Sequence, residues 1–279
     1  MLVLRRFFDF YLDASIHVAL AIVAMVQVTC LTLNITADTH LSWFLFFGSM
    51  ACYNFVKYGV EAEKYILVTD LHQKHIQWVS FIALGAACYH GYFLSTQVYL
   101  TLAVLVGLTG LYAVPILPHT KNLRNLGGLK IFVVALVWAG TTVILPITAV
   151  GQLISWDVQI ETIQRFLLVL ILLVPFEIRD LAYDGAELRT LPQRFGCKGT
   201  KIIGAVAIVP FYLMTFLKDD ISATELIANG LLCLILGILI GITTKHQNRY
   251  FASFWVEAVP IFWWGLLLLP NVVVRWFFP

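Results

Sequence analysis

Charge is what this sequence lacks. Asp, Glu, Lys and Arg make up only 12% of its 279 residues, against 60% hydrophobic ones, and the mean hydropathy is +0.87. A soluble domain of this length could not hide so much apolar surface, so lipid must solvate much of it. The five cysteines (Cys30, Cys52, Cys88, Cys197 and Cys233) form no Cys-x-x-Cys pair, so neither a disulfide framework nor a zinc site is expected. No internal repeat is visible, which argues against a transporter built from inverted repeats. No stretch reads as a soluble domain, so residues 1–279 are expected to form a single transmembrane unit. The net charge of +2 says little about partners, and no nucleic acid is expected among them.

What the chain does have is apolar runs. A bilayer core needs roughly 20 apolar residues per spanning helix. Runs at about 14–33, 41–56, 77–95, 97–117, 131–150, 161–176, 202–217, 223–243 and 254–274 predict nine. Runs 41–56 and 161–176 are short, and their helices should continue into the polar residues that follow. The runs do not alternate apolar and polar residues, which excludes a barrel and leaves an all-α bundle. With a cytoplasmic N-terminus, fifteen of the 18 lysines and arginines fall on inner segments. Only Arg165, Lys218 and Arg275 fall outside, the imbalance expected of membrane proteins. Arg5 and Arg6 precede the first run as in a signal peptide, but the run exceeds a signal core and reads as a retained helix.

Polar residues concentrate in the inner segments 57–76, 118–130 and 177–201, which suggests a cavity opening to that side. The sixth run ends in Phe176-Glu177-Ile178-Arg179-Asp180-Leu181-Ala182-Tyr183-Asp184-Gly185, followed by Thr190-Leu191-Pro192 and Gly196. Offsets of three and seven put Glu177, Asp180 and Asp184 on one helix face. Three carboxylates there repel one another unless a cation joins them. Mg2+ is a natural partner, commonly bound by one or two carboxylates plus substrate phosphates. A solvated helix end neutralised by Arg179 and Arg189 is the plainer reading of the same residues.

This stretch resembles the second acidic motif of the UbiA superfamily of intramembrane prenyltransferases, Asp-x-x-Asp-x-x-x-Asp followed by Gly-x-x-Thr-Leu-Pro and a later Gly. Glu177 stands for the first Asp, and Asp180, Asp184, Thr190, Leu191, Pro192 and Gly196 match. Tyr112-Ala113-Val114-Pro115 resembles the family's Tyr-x-x-Pro at the end of the fourth helix, before a basic loop like Lys121, Arg124 and Lys130. The resemblance implies a nine-helix UbiA-like bundle with its N-terminus in the cytoplasm. It implies that Asp180, Asp184 and Glu177 hold Mg2+, and that Asp180, Asp184 and Asn54 are catalytic. Lys121, Arg124, Lys130 and Arg179 would contact diphosphate, and Tyr58 or Tyr112 would face the substrate.

The family's first motif, Asn-x-x-x-Asp-x-x-x-Asp, is degenerate. Asn54 remains, but Tyr58 and Ala62 occupy the aspartate positions, and the downstream Asn-Lys-Pro-x-Arg-Pro is missing from 64–76. Glu61 shares a helix face with Asn54 and Tyr58. Lys57 either supplies the positive charge of a missing second Mg2+, as a point charge on phosphate, or simply snorkels to the interface. His72 and His75 read as an inner loop, and His17 and His90 as packing or polar contacts. Gly237-x-x-x-Gly241 reads as a close helix contact.

The expected function is transfer of a prenyl group from a prenyl diphosphate to an aromatic or lipid-like apolar acceptor in a membrane, a bacterial inner membrane by preference. The alternative is a non-catalytic relative that binds a polyprenyl or other membrane lipid. A CDP-alcohol phosphotransferase is excluded: Asp184-Gly185 begins its signature, but Leu188 breaks it and no acid follows before Asp219. A transporter fits poorly, because the acids cluster at one membrane face.

Overall fold

The computed structural model describes residues 2–58, 71–113, 129–185 and 188–277. Its elements are helical: α1 (Leu2–Asp13), α2 (Ile16–Thr32), α3 (Thr39–Tyr58), α4 (Leu71–Tyr92) and α5 (Thr96–Ala113) come first. Then follow α6 (Leu129–Ala139, a π-helical turn Gly140–Ile144, and Leu145–Ala149), α7 (Trp156–Asp180), α8 (Leu191–Leu213, ending in a 3-10 turn) and α9 (Ala223–Ile242). The last, α10, is a π-helical turn, Phe251–Val256, continued by Val259–Phe277. Helices α2 to α10 follow the nine apolar runs in order. As expected, α3 and α7 continue past their runs, to Tyr58 and Asp180.

Among the described residues, five helices are long and apolar enough to cross a membrane, six if α1 and α2 form one span bent by 59°. The faces of these helices argue for lipid. In α9, Ala228, Leu232, Leu236 and Ile240 are buried, while Ile227, Leu231, Leu234, Ile238 and Ile242 are exposed. A helix apolar on both its buried and its exposed faces needs an apolar solvent. Gly237 and Gly241 lie on the exposed face with nothing within 4 Å of a built Cβ. Among the described residues they mark no close helix approach, contrary to the motif reading, although Gly241 O accepts from Lys201 Nζ of α8 at 2.8 Å. The close approach comes instead at Gly204, where a Cβ would meet Val174 Cγ2 of α7 at 2.9 Å and Ile240 Cδ1 of α9 at 3.2 Å.

Helices α2, α6, α7, α8, α9 and α10 form a ring, with α2 packed on α6. α3 packs on α2 and α4, α6 on α5 and α7, α8 on α7 and α9, and α10 on α9 and back on α2. α2 joins two cores: Met25 and Val28 enter the cluster of α6 to α10, and Ile22, Val26 and Cys30 enter that of α3, α5 and α6. α1, which the apolar runs did not announce, packs against α2 and α4. The chain turns sharply between α1 and α2, where Ser15 adopts φ 58°.

The far end of the bundle, opposite the α7 terminus that carries Asp180, holds a buried charge cluster. Arg165 on α7 donates to Glu161 Oε1 (2.7 Å), Met25 O (2.8 Å), Thr142 Oγ1 (3.1 Å) and Thr29 Oγ1 (3.0 Å). Lys218 donates to Glu161 Oε2 at 2.6 Å and to Glu225 Oε1. All four charged side chains are at most 2% exposed. Local capping explains the placement. Asp157 accepts from the Asp219 and Asp220 amides, Trp156 Nε1 donates to Leu217 O, and Ser222 caps Glu225 N at 3.0 Å. Arg165 and Lys218, read above as outer charges, are therefore interior residues. Two acids within reach make burial of two bases tolerable.

Candidate active site

The first-motif remnant caps a helix. The turn after α1 leaves the last carbonyls of that helix without intrahelical donors. Asn54, fully buried, donates through Nδ2 to Ala14 O at 3.0 Å and to Ser80 Oγ at 2.9 Å. Tyr58 Oη donates to Asp13 O at 3.2 Å, and Lys57 Nζ to the same carbonyl at 3.4 Å. The Asp13 carboxylate gathers Lys57 (3.6 Å), Arg249 (3.3 Å) and His72 (3.3 Å). His72 thus lies on the first turn of α4 and not in a loop, paired with α1. Asp9 accepts from Tyr250 Oη at 2.7 Å, tying α1 to α10 as well.

The second motif is built by the end of α7 and the start of α8. The amide of Asp184 donates to Asp180 O at 2.9 Å, carrying helical spacing one turn beyond α7. Thr190-Leu191-Pro192 starts α8, with Thr190 as N-cap. Gln193 Oε1 accepts from the Thr190 amide at 3.0 Å, half of a capping box. Its Nε2 donates to Asp184 O (3.3 Å) and Gly185 O (3.1 Å), so the cap of α8 also holds the Asp184 turn. Gly196 has φ 69° and ψ 168°, a backbone region essentially closed to other residues. This accounts physically for the Thr-Leu-Pro and Gly of the motif.

The acids of this end meet bases. Lys130 on α6 lies 3.5 Å from Glu177, which is buried. Arg179 Nε lies 2.7 Å from Asp180 Oδ1. Asp180 and Asp184 both act electrostatically on Glu177. Among the described residues no three His, Cys, Asp or Glu side chains converge to hold a metal ion. Asp180 and Asp184 are hard oxygen donors of the kind that Mg2+ takes together with substrate phosphates. Among the described residues, no facing carboxylate stands at the first-motif positions for a bridged pair: Tyr58 occupies one of them and bonds to Asp13 O. The side chain of Tyr112, together with Lys121, Arg124 and Glu61, lies outside the described residues.

Sequence reasoning passed over Glu257. It follows the π-helical turn of α10, its amide donating to Ala252 O at 3.2 Å. The charges of Lys57 on α3 and Arg179 on α7 both reach it, and it in turn acts on Tyr11 and Tyr53. The missed signal was an acid inside an apolar run, which is rarely retained without purpose.

No family model matches this sequence, and no curated protein matches it either. Solved structures do. The apo structure of a UbiA homologue from Aeropyrum pernix K1 matches with a TM-score of 0.66 at 12% identity, covering 92% of this chain and 98% of that one. A digeranylgeranylglyceryl phosphate synthase structure matches with a TM-score of 0.55 at 14% identity, covering 96% and 98%. Identities this low speak for architecture, and the full-length coverage leaves one conclusion: the chain has the fold of the UbiA superfamily of intramembrane prenyltransferases.

Proposed function

We propose that this protein transfers a prenyl group from a prenyl diphosphate to an apolar acceptor, aromatic or lipid-like, at the acidic end of the bundle. The observation that carries the reading is the paired Asp180 and Asp184, held on one face by the Asp184–Asp180 backbone bond and by Gln193. A Mg2+ ion bound there would polarise the diphosphate leaving group. Lys130 and Arg179 already stand beside the acids, and would add positive charge as phosphate arrives. Lys121 and Arg124 would extend that basic set. With the N-terminus in the cytoplasm, the orientation that the lysine and arginine distribution supports, the acidic end would face the cytoplasm of a bacterial inner membrane.

The test is transfer from farnesyl diphosphate in membrane vesicles containing the full chain, with a panel of phenols and long-chain alcohols. Asp180→Asn and Asp184→Asn are each expected to lower transfer at least 100-fold; transfer indifferent to both would refute the mechanism.

A second reading, a non-catalytic binder of prenyl lipids, is favoured by one observation: Asn54, Lys57 and Tyr58 are committed to the α1 turn. It requires metal-independent lipid binding with no turnover in the same vesicles.

A further inference from the structure

We propose that His40 and His90 form a binding site for a divalent transition-metal ion of the imidazole-preferring zinc and copper class, at the end of the bundle away from Asp180 and Asp184. Nothing in the prenyl-transfer reading uses these two residues.

His40 lies in the first turn of α3 and His90 in the last turn of α4. The two helices pack on each other and bring His40 Nδ1 to 3.2 Å from His90 Nδ1. Both side chains are half-buried. Among the described residues neither ring has another hydrogen-bond partner. Two imidazole nitrogens on one tetrahedral zinc ion stand about 3.3 Å apart, so the observed separation is that of two ligands sharing an ion. Aromatic packing fixes both rings. His90 is stacked beside Trp43 and Phe47, each 6.3 Å away between centroids, with Tyr89 edge-on at 5.2 Å. Phe93 lies 4.4 Å from His40. The backbone is fixed as well. Asp38 Oδ1 accepts from the Leu41 amide at 2.8 Å at the start of α3, and Tyr99 Oη of α5 donates to Gly91 O at the end of α4. The pair is thus held in place before any ion arrives, as a binding site needs to be.

A neutral imidazole has one N–H and one lone pair. Without an ion, one Nδ1 donates and the other accepts. With an ion, both Nδ1 lone pairs bind metal and each ring carries its hydrogen on Nε2. The end of α4 presents the negative pole of its helix dipole to a cation there, and the Asp38 carboxylate offsets the positive pole at the start of α3. Among the described residues no third His, Cys, Asp or Glu joins the pair. The protein therefore supplies two ligands, and water fills the remaining positions. Nitrogen ligands of this kind suit zinc and copper, whereas Mg2+ takes oxygen, so the site is chemically distinct from the acidic end. A bound ion would pin the start of α3 to the end of α4.

The experiment titrates the full chain, free of added histidines and stripped of metal, with Cu2+ and separately with Zn2+ in mixed micelles. Cu2+ is expected to show nitrogen splitting from two imidazoles in its electron paramagnetic resonance spectrum. Saturating Zn2+ is expected to raise the melting temperature by about 3 °C or more. His40→Gln, and His90→Phe, which keeps a ring beside Trp43 and Phe47, should each weaken Cu2+ binding by about tenfold or more. Each should also lose the two-nitrogen splitting and cancel the Zn2+ shift. His246→Ala, at an exposed position between α9 and α10, should change none of these. Cu2+ affinity unchanged in both His40→Gln and His90→Phe, or a wild-type spectrum without the two-nitrogen splitting, would overturn the proposal and leave a hydrogen-bonded histidine pair.

Discussion

Replacing Lys218 with methionine is the sharpest probe of the bundle's far end. Lys218 Nζ lies 2.6 Å from Glu161 and beside Glu225, with none of these side chains more than 2% exposed. Methionine keeps the length of the stem and removes the charge. Glu161 retains Arg165, but Glu225 is left as a buried carboxylate with no base beside it. Removing one member of a buried pair costs about 3–5 kcal/mol, and that loss is predicted for unfolding in mixed micelles. Adding Glu225→Gln neutralises the orphaned acid, so the double variant should recover more than half of the loss. The two substitutions touch each other, so strong non-additivity is the signature of the mechanism. A loss below about 1 kcal/mol, in the range of an exposed pair, would refute the argument. So would additive effects.

Four further outcomes follow from the geometry. Gly204→Val, forced against Val174 and Ile240, should destabilise by about 1–3 kcal/mol through overpacking, while Gly237→Val should be near neutral in the same unfolding assay. Gly196→Ala, at φ 69°, should cost about 1–3 kcal/mol of strain, read as a lower melting temperature. Gln193→Ala removes the bonds holding the Asp184 turn. It should reduce farnesyl transfer more than it reduces stability, and equal losses in both would contradict the positioning role. Finally, burial would lower the Lys218 pKa, but Glu161 and Glu225 outweigh burial and raise it above 10.5. A raised base stabilises fully below its unfolded value, and that stability is lost as pH climbs through the folded one. Melting temperature should thus lose the Lys218 contribution only above pH 10.5, and Lys218→Met should flatten that alkaline fall.

Much of the architecture could be read from hydropathy, because each span must satisfy its own backbone and so appears as an unbroken apolar run. The acidic stripe was legible for the same reason: a period of 3.6 puts Glu177 and Asp180 on one face. What hydropathy could not reveal was partnership. Arg165 and Lys218 look like surface charges in a list of residues, and only the folded ring brings Glu161 and Glu225 to them. Asn54, Lys57 and Tyr58 looked like the remnant of a ligand set. The unannounced helix α1 supplies the carbonyls that occupy them. Glu257 was missed because a lone acid carries no spacing, and its neighbours come from three other helices.

The two π-helical turns also fix how the ring can move. Thr142 O in the turn of α6 takes the hydroxyl of Thr29, and Phe254 O in the turn of α10 takes the imidazole of His17. Both partners sit on α2, twelve residues apart, or about 18 Å along its axis. α2 is thereby keyed at two heights to two different neighbours. Sliding or rolling it would break both bonds where lipid offers no substitute partner.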